Sequence, residues 1–382
     1  MKISFFLLAL FAFIGSGCGT PSTSKHPGKL LEAPNLINNP HNFNPLFETL
    51  FKSLPLQGKL DTQPWSDSYW PDNHGGTAWR WNAKLPSLRL SSAWSYELLT
   101  LEKLRAMSAD EISQLSPAEK LDIFTGDFYY PNVRLQRYLN SPTALGWEGI
   151  CNGWAPASLN FIEPQPVTVT SKDGIVIPFG ASDIKALLSQ FQTFNGGGMK
   201  LIGERCGDNL TTNPASKDSR GCRDTNAGSF HIVVANYLGI QKKGFVFDLT
   251  RDEQIWNQPA FGFQSRVLGW KEPSPTAAVG TVQEVTVETI LSYGNEIHPT
   301  WASVVGTSIN SIRTVTYQYN LELDAKGHIL GGEWLNYDRP DFLWMVEKPV
   351  FSGNHLAIET IYQESLKAHA PHKSDSPSTP TP

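Results

Sequence analysis

The spacing of apolar and polar positions changes period partway along the chain. Between 96 and 125, Tyr96, Leu98, Leu99, Leu101 and Leu104 recur at helical spacing. Ser108 with Glu111 and Ser116 with Glu119 have the form of capping boxes, and Pro117 stands at a first helical position. These patterns predict surface helices, with a further short helix over 134–138. Residues 46–60 read as a short amphipathic helix ending at Pro55. After Ala155 the period becomes two. Residues 166–170 and 175–179 predict a hairpin about the turn Ser171–Gly174, and Ser182 opens a helix running through Leu188. Residues 229–236 and 244–250 read as neighbouring antiparallel strands. Strands continue over 281–293, 312–323 and 329–336, with a turn at Asp324–Gly327. Helices followed by mainly antiparallel strands predict one α+β domain over 46–362.

The flanks read differently. Lys2 precedes an apolar run from Ile3 to Ile14 that is too short to span a bilayer, and Gly15-Ser16-Gly17-Cys18 resembles a bacterial lipobox. The expectation is a lipoprotein signal over 1–17, lipid on Cys18, a Pro/Ser-rich tether over 18–45 and a disordered tail over 363–382. An ordinary secretory signal is the alternative. Gly19 is not Asp, which points such a lipoprotein to the outer membrane, with its domain extracytoplasmic. The formal net charge of −5 comes with no basic stripe, which argues against a nucleic-acid partner.

The four cysteines sharpen this picture. Cys206 and Cys222 flank a polar loop, a spacing that suits a disulfide worth about 3 kcal/mol in an oxidising compartment. With Cys18 lipidated, Cys151 is left over and is a candidate reactive thiol; a bridge from Cys151 to either loop cysteine is the alternative. Cys151 lies in Gly146-Trp147-Glu148-Gly149-Ile150-Cys151-Asn152-Gly153-Trp154, just before a predicted helix. Glycines let backbone N–H groups approach a carbonyl, and a helix N-terminus favours the thiolate. The bland reading is a buried small hydrophobe.

A thiol nucleophile needs a base and a group to orient it. His231 and Asp248 supply both types. On the expected strands, Phe245 and Phe247 share one face, while Val246 and Asp248 share the other. An antiparallel partner could then set the imidazole of His231 beside the carboxylate. Taken singly, a satisfied core histidine and a strand-end aspartate are the plainer readings. The Cys151 N–H is the natural first oxyanion donor; the second is open, with a Trp indole from 65–81 or Trp147 as candidates. The loop 64–81, with four Trp, is either packing or the lining of a cleft. His74, His298 and His328 lack zinc-ligand spacing, so no metal site is assigned. Asp72, Asp208, Asp218 and Asp224 lie in loops without the form of a twelve-residue calcium loop. Residues 255–259 and 340–344 read as packing motifs.

The stretch Gly149-Ile150-Cys151-Asn152-Gly153-Trp154-Ala155-Pro156-Ala157 resembles the nucleophile motif of the transglutaminase-elicitor family. The likeness extends to Pro64–Pro71, Phe179–Leu187, the segments around His231 and Asp248, Trp256-Asn257-Gln258-Pro259 and Gly331–Trp334. It implies a papain-like, transglutaminase-like fold and a thiol acyltransferase acting on protein Gln and Lys side chains through a Cys thioester, ending in cross-linking or deamidation. It also implies calcium dependence. Many relatives are expected to have His after the nucleophile, where this chain has Asn152. A papain-like cysteine peptidase and an inactive envelope-binding domain are the rival functions.

Overall fold

The computed structural model describes residues 37–81, 95–205, 224–251, 253–335 and 339–367. The first helices follow their caps: α1 (Leu101–Ala106), α2 (Ala109–Ser113), α3 (Pro117–Thr125) and α4 (Pro131–Leu139). Both capping boxes form: Ser108 and Ser116 each accept from the backbone N–H three residues on, and Glu111 and Glu119 reach back. Helix α5 (Cys151–Asn160) and helix α6 (Ala181–Asn195) pack against each other, with the hairpin of β2 (Val167–Thr170) and β3 (Val176–Phe179) between them in sequence.

The main sheet is antiparallel throughout. Its order is β4 (Gly197–Gly203), β10 (Phe342–Glu347), β5 (Phe245–Asp248), β6 (Asn257–Lys271), β7 (Gln283–Gly294), β8 (Ile312–Leu323) and β9 (Ile329–Trp334), and β1 (Gln57–Lys59) adds to β6. Period-two alternation in β5 divides two cores. Phe245 and Phe247 join the core under α7 (Ala227–Val234), while Val246 joins the core under α5 and α6. The α+β class and the facial split of β5 therefore stand as read.

Three local expectations change. Residues 229–236 are helical: Asn226 caps α7 by accepting from the N–H groups of Gly228 and Ser229, and the helix runs on into a π-helix, Ala235–Gln241. The run Phe230–Val234 is buried on every side, so neither period shows in it. Residues 46–60 form a 3-10 turn (Phe51–Ser53) and β1 rather than a helix. Packing also begins before 46. Phe43 is in the core, and Asn38 bonds the Asp224 carbonyl and the Asn226 N–H. At the other end, helix α8 (Leu356–Lys367) extends the fold past 362. Residues 1–36 and 368–382 lie outside the described residues.

Helix α5 carries two residues that disfavour a helix interior and is held by close contact with α6. It contains Pro156, and a Cβ at Gly153 would lie 2.0 Å from Thr193 Oγ1 and 2.2 Å from the Ser189 carbonyl. Gly153→Ala should therefore force α5 off α6 and cost about 1–3 kcal/mol. Gly146→Ala meets nothing within 4 Å and serves as the control. Thermal unfolding of the two variants checks this; equal melting temperatures would contradict it.

Candidate active site

Cys151 is the first residue of α5, and its side chain is 6% exposed. Ile150 donates its N–H to the Tyr69 carbonyl at 2.8 Å, and Pro71 bridges to Gly149, so the aromatic loop is stitched to the segment before the thiol. A Cβ at Gly149 would come within 2.5 Å of the Tyr69 carbonyl oxygen, which explains the glycine. Trp65 and Trp70 of this loop are buried as packing residues, while the Tyr69 ring meets the Trp256 ring edge-on at 5.7 Å.

Below the thiol lies the start of β6. Asn257 donates from Nδ2 to Cys151 Sγ at 3.3 Å, and its own Oδ1 accepts from Trp344 Nε1 at 2.7 Å. That indole fixes the orientation of the amide, so the NH2 end faces sulfur. The thiol also lies 3.8 Å from the Ile255 carbonyl, to which it can donate. Asp248 pairs across the ladder with Asn257, and its Oδ1 accepts the Trp256 N–H at 2.8 Å. Glu296, just past β7, accepts from Gln258 Nε2 at 2.9 Å.

Burial pushes the Cys151 thiol up to about 11; the bonds from Asn257 pull it down, and the charges of Glu296 and Asp248 push it up. At pH 7 the thiolate is then on the order of one part in ten thousand. Burial raises Glu296 to about 7, against the hydrogen bonds that it accepts. Of the two carboxylates whose charges act on the thiol, Glu296 acts more strongly than Asp248. Gly153 and Trp154 donate their N–H groups to the Ile150 carbonyl at 2.9 Å each, which leaves those of Cys151 and Asn152 as the first N–H groups of α5.

The three residues expected as a triad are not all brought together. Cys151 and Asp248 are electrostatic neighbours on the same face of the sheet. His231 is not beside them. It lies on α7, fully buried on the opposite face, with Nδ1 2.8 Å from the Tyr319 hydroxyl and no partner at Nε2. Tyr319 bonds Thr289, and Thr289 bonds Ser265 of β6. About eight residues of β6 separate Ser265 from Asn257, on the order of 25 Å at ~3.4 Å per residue. The expected placement fails because 229–236 is a helix, not a strand beside Asp248. Burial alone holds the imidazole down to about 4.

Glu296 was not singled out by sequence reasoning, while Asn257, Trp344 and Tyr69 lay in stretches read as packing motifs, as carriers of the family likeness or as the aromatic loop, with no role given to any one of them. For Asn257 a signal existed: an amide side chain inside a strand is unusual and needs a partner when buried. Cys18, Cys206 and Cys222 lie outside the described residues. For calcium, no group of three or more His, Cys, Asp or Glu that could hold a metal occurs among the described residues. Asp224 is engaged by Arg339 and Arg251, Asp72 has Glu148 as a like-charged neighbour, and Asp208 and Asp218 lie outside the described residues. Among the described residues no helix is long and apolar enough to cross a membrane.

A buried thiol opens a helix that is laid on an antiparallel sheet, in an α+β fold. The model of the transglutaminase elicitor family matches residues 139–364, and the chain belongs to that family. The fold is similar to the crystal structure of the GP42 transglutaminase from Phytophthora sojae, with a TM-score of 0.60 and 22% identity over 84% of this chain and 94% of that one. No curated protein matches the chain.

Two outcomes follow. Alkylation of Cys151 by iodoacetamide, followed by mass spectrometry, should accelerate with pH up to about 11. Asn257→Ala should move that curve to higher pH, and His231→Gln should leave it in place. A curve centred near 7–8, or one moved by His231→Gln, would contradict this geometry. Separately, the folded-state pKa of His231 is depressed, so its contribution to stability is present above the unfolded value of 6.5 and is lost as pH falls through about 4. Denaturant titrations across that window should show a loss on the order of 3 kcal/mol that is absent in His231→Gln.

Proposed function

We propose that the protein is a protein-glutamine acyltransferase with Cys151 as its nucleophile. The observation that carries this reading is the seat of the thiol: a helix N-terminus above, and the Asn257 amide, held by Trp344, below. Membership of the transglutaminase elicitor family supports it. In this mechanism Sγ attacks the carbonyl carbon of a glutamine carboxamide and its proton passes to Glu296. The resulting oxyanion is met by the N–H groups at the start of α5. The C–N bond then breaks, Glu296 returns the proton to the departing nitrogen, and ammonia leaves a Cys151 thioester. A lysine amine takes the acyl group to form an isopeptide bond, or water takes it to give glutamate, and the thiol is restored.

Asp248 acts in this reading by holding the Trp256 N–H, and with it the strand start that carries Asn257. His231 has no part in the chemistry. The partners are Gln- and Lys-bearing proteins of the envelope, where lipid on Cys18 would hold the domain.

The test is incorporation of a fluorescent primary amine into a glutamine-bearing protein across pH. Turnover should rise through about 7 as Glu296 ionises, because the base acts in its deprotonated form. Glu296→Gln should lower the rate on the order of a hundredfold and remove that limb of the profile, and Cys151→Ala should abolish turnover. Peptide-bond cleavage without amine incorporation would replace this reading with that of a peptidase.

A further inference from the structure

A cavity of about 700 Å³ lies at the far end of α5 from the thiol. That volume is in the range of small-molecule sites. Pro156, Leu159 and Asn160 of α5 line it, and the ten residues of the helix put it about 15 Å from Cys151.

Its charge runs against that of the chain. The protein carries a formal −5, yet Lys200, Lys242, Lys243 and Lys348 converge on this cavity, against only Asp61 and Glu347. Among the described residues none of these four lysines is in an ion pair, although both acidic groups line the same space. Elsewhere Lys120, Lys185 and Lys271 are each paired with a carboxylate. Lys200 bonds the Phe43 carbonyl, and Lys348 lies over the Phe161 ring, so both ammonium groups are held in place without being neutralised.

The backbone that presents the other two lysines is irregular. The π-helix Ala235–Gln241 ends at Lys242, which has φ 54° and ψ 42°, a left-handed conformation that disfavours side chains other than those of Gly or Asn. Such segments concentrate at functional sites because the strain must be offset by something. Here it turns Gln241, Lys242 and Lys243 together onto the rim. Leu60, Leu159, Phe245 and Val346 add an apolar wall.

From this convergence of unpaired cations on a partly apolar cavity, we propose a binding site for a small organic anion, a carboxylate or phosphate ester with an apolar portion. The lysines take the anionic group and the wall takes the apolar part.

Fluorescence titration of the full chain with 1-anilinonaphthalene-8-sulfonate tests this, because that probe joins an anion to an aromatic body. Binding should saturate at one probe per chain and weaken with salt. Octanoate or octyl phosphate should displace it, the more effective of the two identifying the headgroup. The Lys242→Gln/Lys243→Gln double variant should bind about tenfold more weakly, since each exposed charged contact is worth about half a decade in affinity. Glu347→Gln, which removes an opposing charge, should bind more tightly. Absence of binding, or binding of equal strength in the double variant and insensitive to salt, would overturn the proposal.

Discussion

The contact between the start of α5 and the start of β6 organises this molecule. The Asn257 amide reaches the Cys151 sulfur at 3.3 Å only because helix and sheet approach without an intervening side chain. Each element at that joint is shaped by the closeness. Gly149 yields to the Tyr69 carbonyl, and Gly153 to the Ser189 carbonyl and Thr193. The indole of Trp344 sets the direction of the amide from β10, two strands away in the same sheet. The thiol is consequently dry, and burial dominates its ionisation. A dry thiol is a poor anion at rest. In such a site the stabilisation of negative charge has to come from fixed dipoles and a nearby proton acceptor rather than from water.

The long strand β6 separates two polar systems that could be taken for one. At its start Asn257 reaches the thiol, and Gln258 beside it holds Glu296, whose charge acts on the thiol. Further along, Ser265, Thr289, Tyr319 and His231 form a chain of hydrogen bonds inside the other core. The second chain is fully buried among Phe51, Phe230 and Trp334, which makes it a specifier of packing between α7 and the sheet. Its histidine is neutral because a charge there would have no solvent and no counter-ion.

Much of this was legible where the chain alternates or caps itself. The division of β5 into Phe245/Phe247 and Val246/Asp248 faces could be read directly, as could the hairpin of β2 and β3 and both capping boxes. The thiol at the head of a helix was likewise visible from Gly149-Ile150-Cys151 onward. What failed was the run Ser229–Asn236. Its β-branched residues have strand propensity, but a fully enclosed helix shows no amphipathic stripe, and tertiary packing decides. Asn226, ahead of Gly228 and Ser229, was the cap that could have revealed it. The position of Glu296 was not legible, because a carboxylate after a strand is silent until the fold brings Gln258 to it.

The central claim is that Cys151 is the nucleophile of an acyl transfer. Its most direct measurement is acid quenching of the protein during turnover of a glutamine-containing peptide, followed by mass mapping. A peptide acyl group on the segment containing Cys151, with the mass of the substrate less ammonia and labile to hydroxylamine, is the expected result. No adduct at Cys151 while substrate is being consumed, or an adduct on another residue, would contradict it.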